Sequence, residues 1–175
     1  QFDRYMLRPM NLFFQVICEK LQPDALGELM VGILLLAMSL SNGVVAISGT
    51  KIILFIISMI AGAVIYTSIK LLFASFAFWM KVSGPVLYTA YQLADFAKYP
   101  TEIYAKFIQF IITWIIPFAF VAYLPASYFL GVDGFMGMNN NIAVIGIEVV
   151  IGIVFALLAY AVFNKGTRVY ESAGN

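Results

Sequence analysis

The stretch IILFIISMIAGAVIYTSIKLLFASFAFW, residues 52–79, decides the fold class, because it is apolar for longer than a bilayer is thick. A helix rises about 1.5 Å per residue, so roughly 20 apolar residues cross the hydrocarbon core of a membrane. The composition agrees, since 63% of the 175 residues are hydrophobic and 11% are charged. A soluble domain carries about 25% charged residues. The sequence therefore predicts an all-α integral membrane protein.

Three further stretches are long and apolar enough to cross a membrane, and we treat residues 1–175 as a single transmembrane domain. The four transmembrane helices are predicted at 26–47, 52–79, 107–124 and 142–163. Pro117 should kink the third, because a proline inside a helix leaves the carbonyl group of the residue four positions earlier without its hydrogen bond.

Three other pieces are predicted not to span the membrane. The segment 9–22 has polar residues along one face and is typical of an interfacial helix on the cytoplasmic side, with a helix in a soluble-side core as the alternative. The segment 85–99 is predicted as a short cytoplasmic helix that is rich in tyrosine. The segment 125–141 is too aromatic for a solvated loop, and we expect an extracellular re-entrant hairpin there.

The distribution of basic residues predicts the orientation. Lysine and arginine concentrate before the first span, between the second and third, and after the fourth. The opposite side carries Lys51 alone, and the segment 125–141 has no basic residue. Because basic loops stay in the cytoplasm, both visible termini are predicted to be cytoplasmic, in a multi-pass protein of the plasma membrane.

Several kinds of chemistry lack the residues they need. The chain has one cysteine, Cys18, and no histidine, which excludes an internal disulfide, a histidine-dependent nucleophile and a haem histidine. No phosphate-binding loop of the G-x-x-x-x-G-K-[ST] type occurs, and no pair of aspartates falls within a predicted span. The chain starts at Gln1 without a signal-peptide pattern, and we expect that upstream sequence precedes it.

Polar side chains recur at helical spacing within the spans, so each set lies along one helix face. Two interpretations are open. These faces are contacts between helices, with Lys70 extending to the cytoplasmic surface, or they line a substrate route in at least one conformation. Glu148, in the fourth span, shares its face with small residues, which favours close helix packing. The candidate route residues are Ser58, Tyr66, Lys70, Gln109, Thr113 and Glu148.

Four stretches of the chain resemble the permeases of ABC-2 type exporters, in particular a bacterial subgroup of small six-span proteins. They are FDRYMLRPMNLFFQVICEKLQPDALGELMVGILLL (2–36), FWMKVSGPVLYTAYQLADFAKYP (78–100), IIPFAFVAYLPASYFLG (115–131) and the terminal YESAGN (170–175). The resemblance extends over essentially the whole chain. It implies that the four visible spans are the third to sixth of six and that the first two are lacking.

The resemblance further implies a non-catalytic permease subunit that works by alternating access. ATP and magnesium would be bound by a separate cytoplasmic ATP-binding subunit, and this chain would bind no cofactor and no nucleic acid. Two permease subunits would pair as a homodimer or a heterodimer in the bilayer, and the segment 125–141 would cap the exit route. Residues 1–23 would form a cytoplasmic coupling hook and interfacial helix. Their opening segment, residues 1–10, would be the coupling helix that docks on the ATPase, through Phe2, Asp3, Arg4, Leu7 and Arg8.

Other functions remain open from the sequence. The charged opening segment could be a topogenic loop without a partner. The whole chain could be a membrane scaffold or assembly protein that transports nothing, or a secondary carrier or channel that uses Glu148 or Lys70 for coupling. The substrate is not indicated, since permeases of this kind handle lipids, peptides, drugs and polysaccharides.

Overall fold

The structure, a computed structural model, describes Tyr5 and residues 7–18, 23–41, 48–80, 84–130 and 141–169. The chain forms two compact units, one of residues 1–47 with 171–175 and the other of residues 48–170. The regular secondary structure in the described residues is helical. The fold class predicted from the composition is thus confirmed at the level of an all-helical, apolar protein.

The first unit contains helices α1 (Leu12–Ile17) and α2 (Pro23–Ser41). Asn11 caps α1, because its side-chain oxygen accepts a hydrogen bond from the amide of Phe13 at 3.0 Å. Helix α2 covers most of the first predicted span, whose residues 42–47 lie outside the described part of the chain. The interfacial helix predicted over 9–22 is shorter than expected, with its described helical part limited to α1.

The second unit is built on two long apolar helices, α3 (Gly49–Met80) and α7 (Asn141–Val169). Both are long and apolar enough to cross a membrane. They contain the second and fourth predicted spans. Helix α3 ends one residue past the predicted cytoplasmic end, at Met80, and α7 ends six residues past it, at Val169. At 32 residues, α3 is about 48 Å long and projects beyond a hydrocarbon core of roughly 30 Å.

The two long helices run parallel to each other. Ser58 lies against Glu148 near the start of both helices, and the rings of Phe78 and Phe163 meet edge to face near their ends, 5.7 Å apart. Between these contacts, Gly152 of α7 lies close to the Ala61 carbonyl of α3, and its lack of a side chain leaves room for this approach. Since the two helices are parallel, the connection between them must lead from the end of α3 back to the start of α7.

Helix α4 (Gly84–Ala94) starts that return by packing antiparallel against the end of α3. Tyr91 lies beside Lys70, and Ala94 joins the buried cluster that contains Ile65 and Ile69. The prediction of a short helix at 85–99 therefore needs correction at its end, because the α-helix stops at Ala94 and a 3₁₀ turn follows at Asp95–Lys98. A second 3₁₀ turn spans Thr101–Ile103.

The third predicted span is not one kinked helix. Helix α5 (Lys106–Phe110) continues as a π-helical turn at Ile111–Ile115, and the helix then ends. Ile116 lies outside the helical region, with φ −123° and ψ 84°, because helical dihedrals are disfavoured for a residue that precedes proline. After Pro117, a 3₁₀ turn at Phe118–Phe120 leads to α6 (Tyr123–Leu130). The predicted kink is therefore a complete break.

The interrupted segment packs against α3 where α3 has a glycine. A Cβ atom added to Gly62 would lie 2.7 Å from the carbonyl oxygen of Val121, so only a glycine allows this backbone approach. Phe129 of α6 contacts Phe55 edge to face, with ring centroids 4.9 Å apart. The core of the unit consists of Ile65, Ile69, Ala94, Phe118, Ala119, Phe120 and Leu124.

Candidate functional site

The polar centre of the second unit is a hydrogen bond between its two long helices. The hydroxyl of Ser58 on α3 donates to Oε2 of Glu148 on α7 at 2.8 Å, and both side chains are 1% exposed. The other carboxyl oxygen, Oε1, is buried and has no hydrogen-bond partner among the described residues. In this conformation the two candidate route residues face each other, so they form a helix contact and do not line an open passage.

Small residues make the contact around this pair possible. On α7, Gly152 and Ala159 are buried on the same side as Glu148. An added Cβ at Gly152 would lie 3.6 Å from the Ala61 carbonyl, which is ordinary van der Waals contact. The close approach increases the packing contacts that hold transmembrane helices together in lipid. The arrangement agrees with the helix-packing interpretation of this face.

Lys70 and Tyr66 form a second centre at the other end of α3. The Lys70 ammonium lies 4.5 Å from the ring centroid of Tyr66, one helical turn earlier on α3. On its other side, the same ammonium lies 4.6 Å from the ring of Tyr91 on α4. A cation held over two aromatic faces is attracted by both ring quadrupoles. The sequence analysis grouped Lys70 with Tyr66 but missed Tyr91, whose approach depends on α4 folding back along α3.

Gln109 and Thr113 lie on the interrupted segment, apart from the other candidates. The side-chain amide of Gln109 donates to the carbonyl oxygen of Tyr104 at 2.9 Å, and Thr113 is buried within the π-helical turn. A hydrogen bond of 2.8 Å from the Tyr123 hydroxyl to Glu102 links the start of α6 to the turn before α5. The sequence carried no signal for this last contact, because Glu102 lies in the connection before the third predicted span and Tyr123 lies near the end of that span.

The opening segment is described in part. Phe2, Asp3 and Arg4 lie outside the described residues. Leu7 is 85% exposed and Arg8 is exposed, so both are available to a partner.

Gln15 is one of the polar residues along one face of the segment 9–22, the pattern from which an interfacial helix was predicted. Gln15 is instead 7% exposed, and its amide donates to the carbonyl oxygens of Tyr5 at 3.3 Å and Met10 at 2.9 Å. These bonds tie the opening segment to α1. The side-chain amide of Gln15 thus forms short-range hydrogen bonds to the backbone, whereas helical periodicity alone indicates a solvated face of the helix.

Comparison with known proteins gives one result that covers the chain. A family model described as "ABC-2 family transporter protein" matches residues 1–174. No curated protein and no solved structure matches the chain.

Proposed function

The chain belongs to the ABC-2 family of transporter proteins and is a membrane permease component of an ABC transporter, and we propose that it exports its substrate by alternating access. The observation that carries the proposal is the family match over residues 1–174, together with two apolar helices long enough to cross a membrane. Permeases of this family normally work with an ATP-binding subunit. We place ATP and magnesium on that separate subunit, and two permease subunits in one transporter.

The opening segment is our proposed docking element for the ATP-binding subunit. Leu7 offers an exposed aliphatic anchor beside the charge of Arg8, and Phe2, Asp3 and Arg4 precede them in the sequence. An apolar anchor flanked by arginines is typical of the residues that dominate protein interfaces. The two hydrogen bonds from the Gln15 amide support this role, because a segment held in one conformation loses less conformational entropy when it binds.

The substrate route in our proposal runs where α3 and α7 now touch. Ser58 and Glu148 close this contact, and its opening would expose two polar groups to the passage. Tyr66 and Lys70 continue the same face of α3 towards the predicted cytoplasmic end. Gln109 and Thr113, on the interrupted segment, complete the proposed set. Such a segment suits a moving part, because its helix ends and restarts around Pro117.

We further propose four crossings in the described region, with both visible ends in the cytoplasm. The parallel course of α3 and α7 supports this, because it requires a return across the membrane between residues 80 and 141. Helix α2 would supply the remaining crossing, and residues 125–141 the extracellular cap. Of that cap, residues 131–140 lie outside the described part of the chain.

The docking proposal is tested by reversing charge in the opening segment. We expect the double variant Arg4→Glu, Arg8→Glu to lose most of its co-purification with the ATP-binding subunit and most of its export, since two attractive contacts become repulsive. Membrane insertion, followed by protease protection, should be unchanged. The matched control is Lys165→Glu, Arg168→Glu, which reverses two charges at the other cytoplasmic end.

Full ATPase association and full export by the double variant would overturn the docking assignment. ATPase association without any ATP-dependent transport in vesicles would instead favour the scaffold function over the exporter.

A further inference from the structure

The ammonium of Lys70 has aromatic neighbours but no anionic partner in the described part of the chain. Its contacts are the two rings of Tyr66 and Tyr91, and it forms no ion pair with a described carboxylate. Ring faces attract a cation, but they leave the hydrogen-bond donors of the ammonium unused. Lys70 is therefore a positioned positive charge with unused donors.

The depth of Lys70 in the membrane matches the level of lipid phosphates. It lies 21 residues after Gly49, or roughly 30 Å along α3, which is the thickness of a hydrocarbon core. The distribution of basic residues places this end of α3 at the cytoplasmic surface. The lipids of the cytoplasmic leaflet are the anionic ones, so phosphate groups are the most abundant anions at this depth.

The site is open towards the lipid surface. Lys70 is half-buried, whereas Tyr91 is 53% exposed and the neighbouring Tyr88 is 65% exposed. Exposed tyrosines of this kind collect at the headgroup level of membranes. The hydroxyl groups of Tyr66 and Tyr91 donate to no other described residue, so both can donate to a ligand.

We propose that Lys70, Tyr66 and Tyr91 form a binding site for a phosphate group, supplied by the headgroup of an anionic phospholipid at the cytoplasmic surface. The ammonium supplies the charge and the two tyrosines supply a rigid frame with hydroxyl donors. Because Tyr66 lies on α3 and Tyr91 on α4, a bound phosphate would also hold these two helices together. Tyr66 and Lys70 also belong to the proposed substrate route, but lipid binding can be measured without ATP or substrate, so the two proposals are tested separately.

The test measures lipid binding to the purified full-length protein by native mass spectrometry and by lipid-dependent thermal stabilisation. Three probes are titrated separately: phosphatidylglycerol, zwitterionic phosphatidylcholine and inorganic phosphate. We expect phosphatidylglycerol to bind and stabilise, and Lys70→Gln to weaken its binding roughly tenfold, as for the loss of one charge-assisted hydrogen bond of about 1.5 kcal/mol. Lys70→Arg should retain binding, and Tyr91→Leu should weaken it.

The matched control is Lys165→Gln. It removes an exposed lysine near the predicted cytoplasmic end of α7 and should leave phosphatidylglycerol binding unchanged. Equal binding of phosphatidylglycerol by the Lys70→Gln variant and the native protein would overturn the proposal and leave Lys70 as a lysine satisfied by its aromatic neighbours. A third outcome is that inorganic phosphate stabilises the protein, that Lys70→Gln abolishes this effect, and that phosphatidylglycerol has no effect. This outcome would overturn the lipid source and identify a free-phosphate site.

If the Lys70→Gln variant does not fold, Tyr91→Phe replaces it, because it keeps the ring and removes one hydroxyl donor. Unchanged phosphatidylglycerol binding by that variant would overturn the role of the hydroxyl.

Discussion

At the scale of single residues, the buried pair of Ser58 and Glu148 places a carboxyl group between two apolar helices. A buried carboxyl group that loses its only described hydrogen-bond donor keeps its desolvation cost without compensation. The serine is therefore more than a small packing residue. Its hydroxyl determines whether the carboxyl group can remain at the centre of the helix pair.

We expect Ser58→Ala to destabilise the protein by about 1–3 kcal/mol, the usual cost of leaving a buried polar group unsatisfied. Glu148→Gln should be milder, because the amide oxygen still accepts from the Ser58 hydroxyl. The measurement is thermal unfolding in detergent. Ser68→Ala is the matched control, since the Ser68 hydroxyl donates within its own helix, to the Val64 carbonyl at 2.6 Å. Equal melting shifts for Ser58→Ala and Ser68→Ala would contradict the interhelical role.

At the scale of elements, the break around Pro117 and the glycine opposite it belong together. The proline ends the helix, and the 3₁₀ turn that follows brings the Val121 carbonyl against Gly62 of α3. The sequence indicated the proline and predicted a kink there. It could not indicate the glycine's role, because the contact joins residues that are far apart in the chain. The predicted position of a helix disturbance was therefore correct, but its size was underestimated, and its packing partner was not predicted.

We expect Gly62→Ala to lower stability by about 1–3 kcal/mol, because a methyl group 2.7 Å from a backbone oxygen forces the break segment away from α3. Export should fall as well if the break segment moves during transport. Gly146→Ala is the control, because it is exposed on α7 with nothing within 4 Å of the added methyl group. Alanine is the better helix former, so this control should be neutral or slightly stabilising. A neutral Gly62→Ala variant would contradict the close approach.

At the scale of the whole second unit, the parallel course of α3 and α7 determines the topology. A connection between two parallel helices must lead from the end of the first helix back to the start of the second. The connection must cover the length over which the helices touch, roughly 30 Å from Ser58 to Phe78 at 1.5 Å per residue. Helices α4 and α6 both pack against α3 and share this return path.

Cross-linking tests the parallel arrangement in native membranes, in a Cys18→Ser background. We expect the pair Ala61→Cys, Gly152→Cys to form a disulfide on oxidation, because the backbones approach closely there. The pair Phe78→Cys, Phe163→Cys should react with a short bifunctional thiol reagent. Linked peptides are identified by mass spectrometry. The mismatched pair Ala61→Cys, Phe163→Cys is the control, and its efficient cross-linking would point to an antiparallel arrangement.

The amino-acid sequence by itself determined the class of the protein, the location of the two long apolar helices and the position of the break at Pro117. These follow from local properties, namely the length of an apolar run and the missing amide of proline. The tertiary structure alone decided that Ser58 meets Glu148, that Tyr91 completes the surroundings of Lys70, and that Gln15 is buried. The first two contacts join residues that are distant in the chain, and such contacts leave no periodic signal in the sequence. The burial of Gln15 depends on how Tyr5 and Met10 lie against α1, which helical periodicity does not predict.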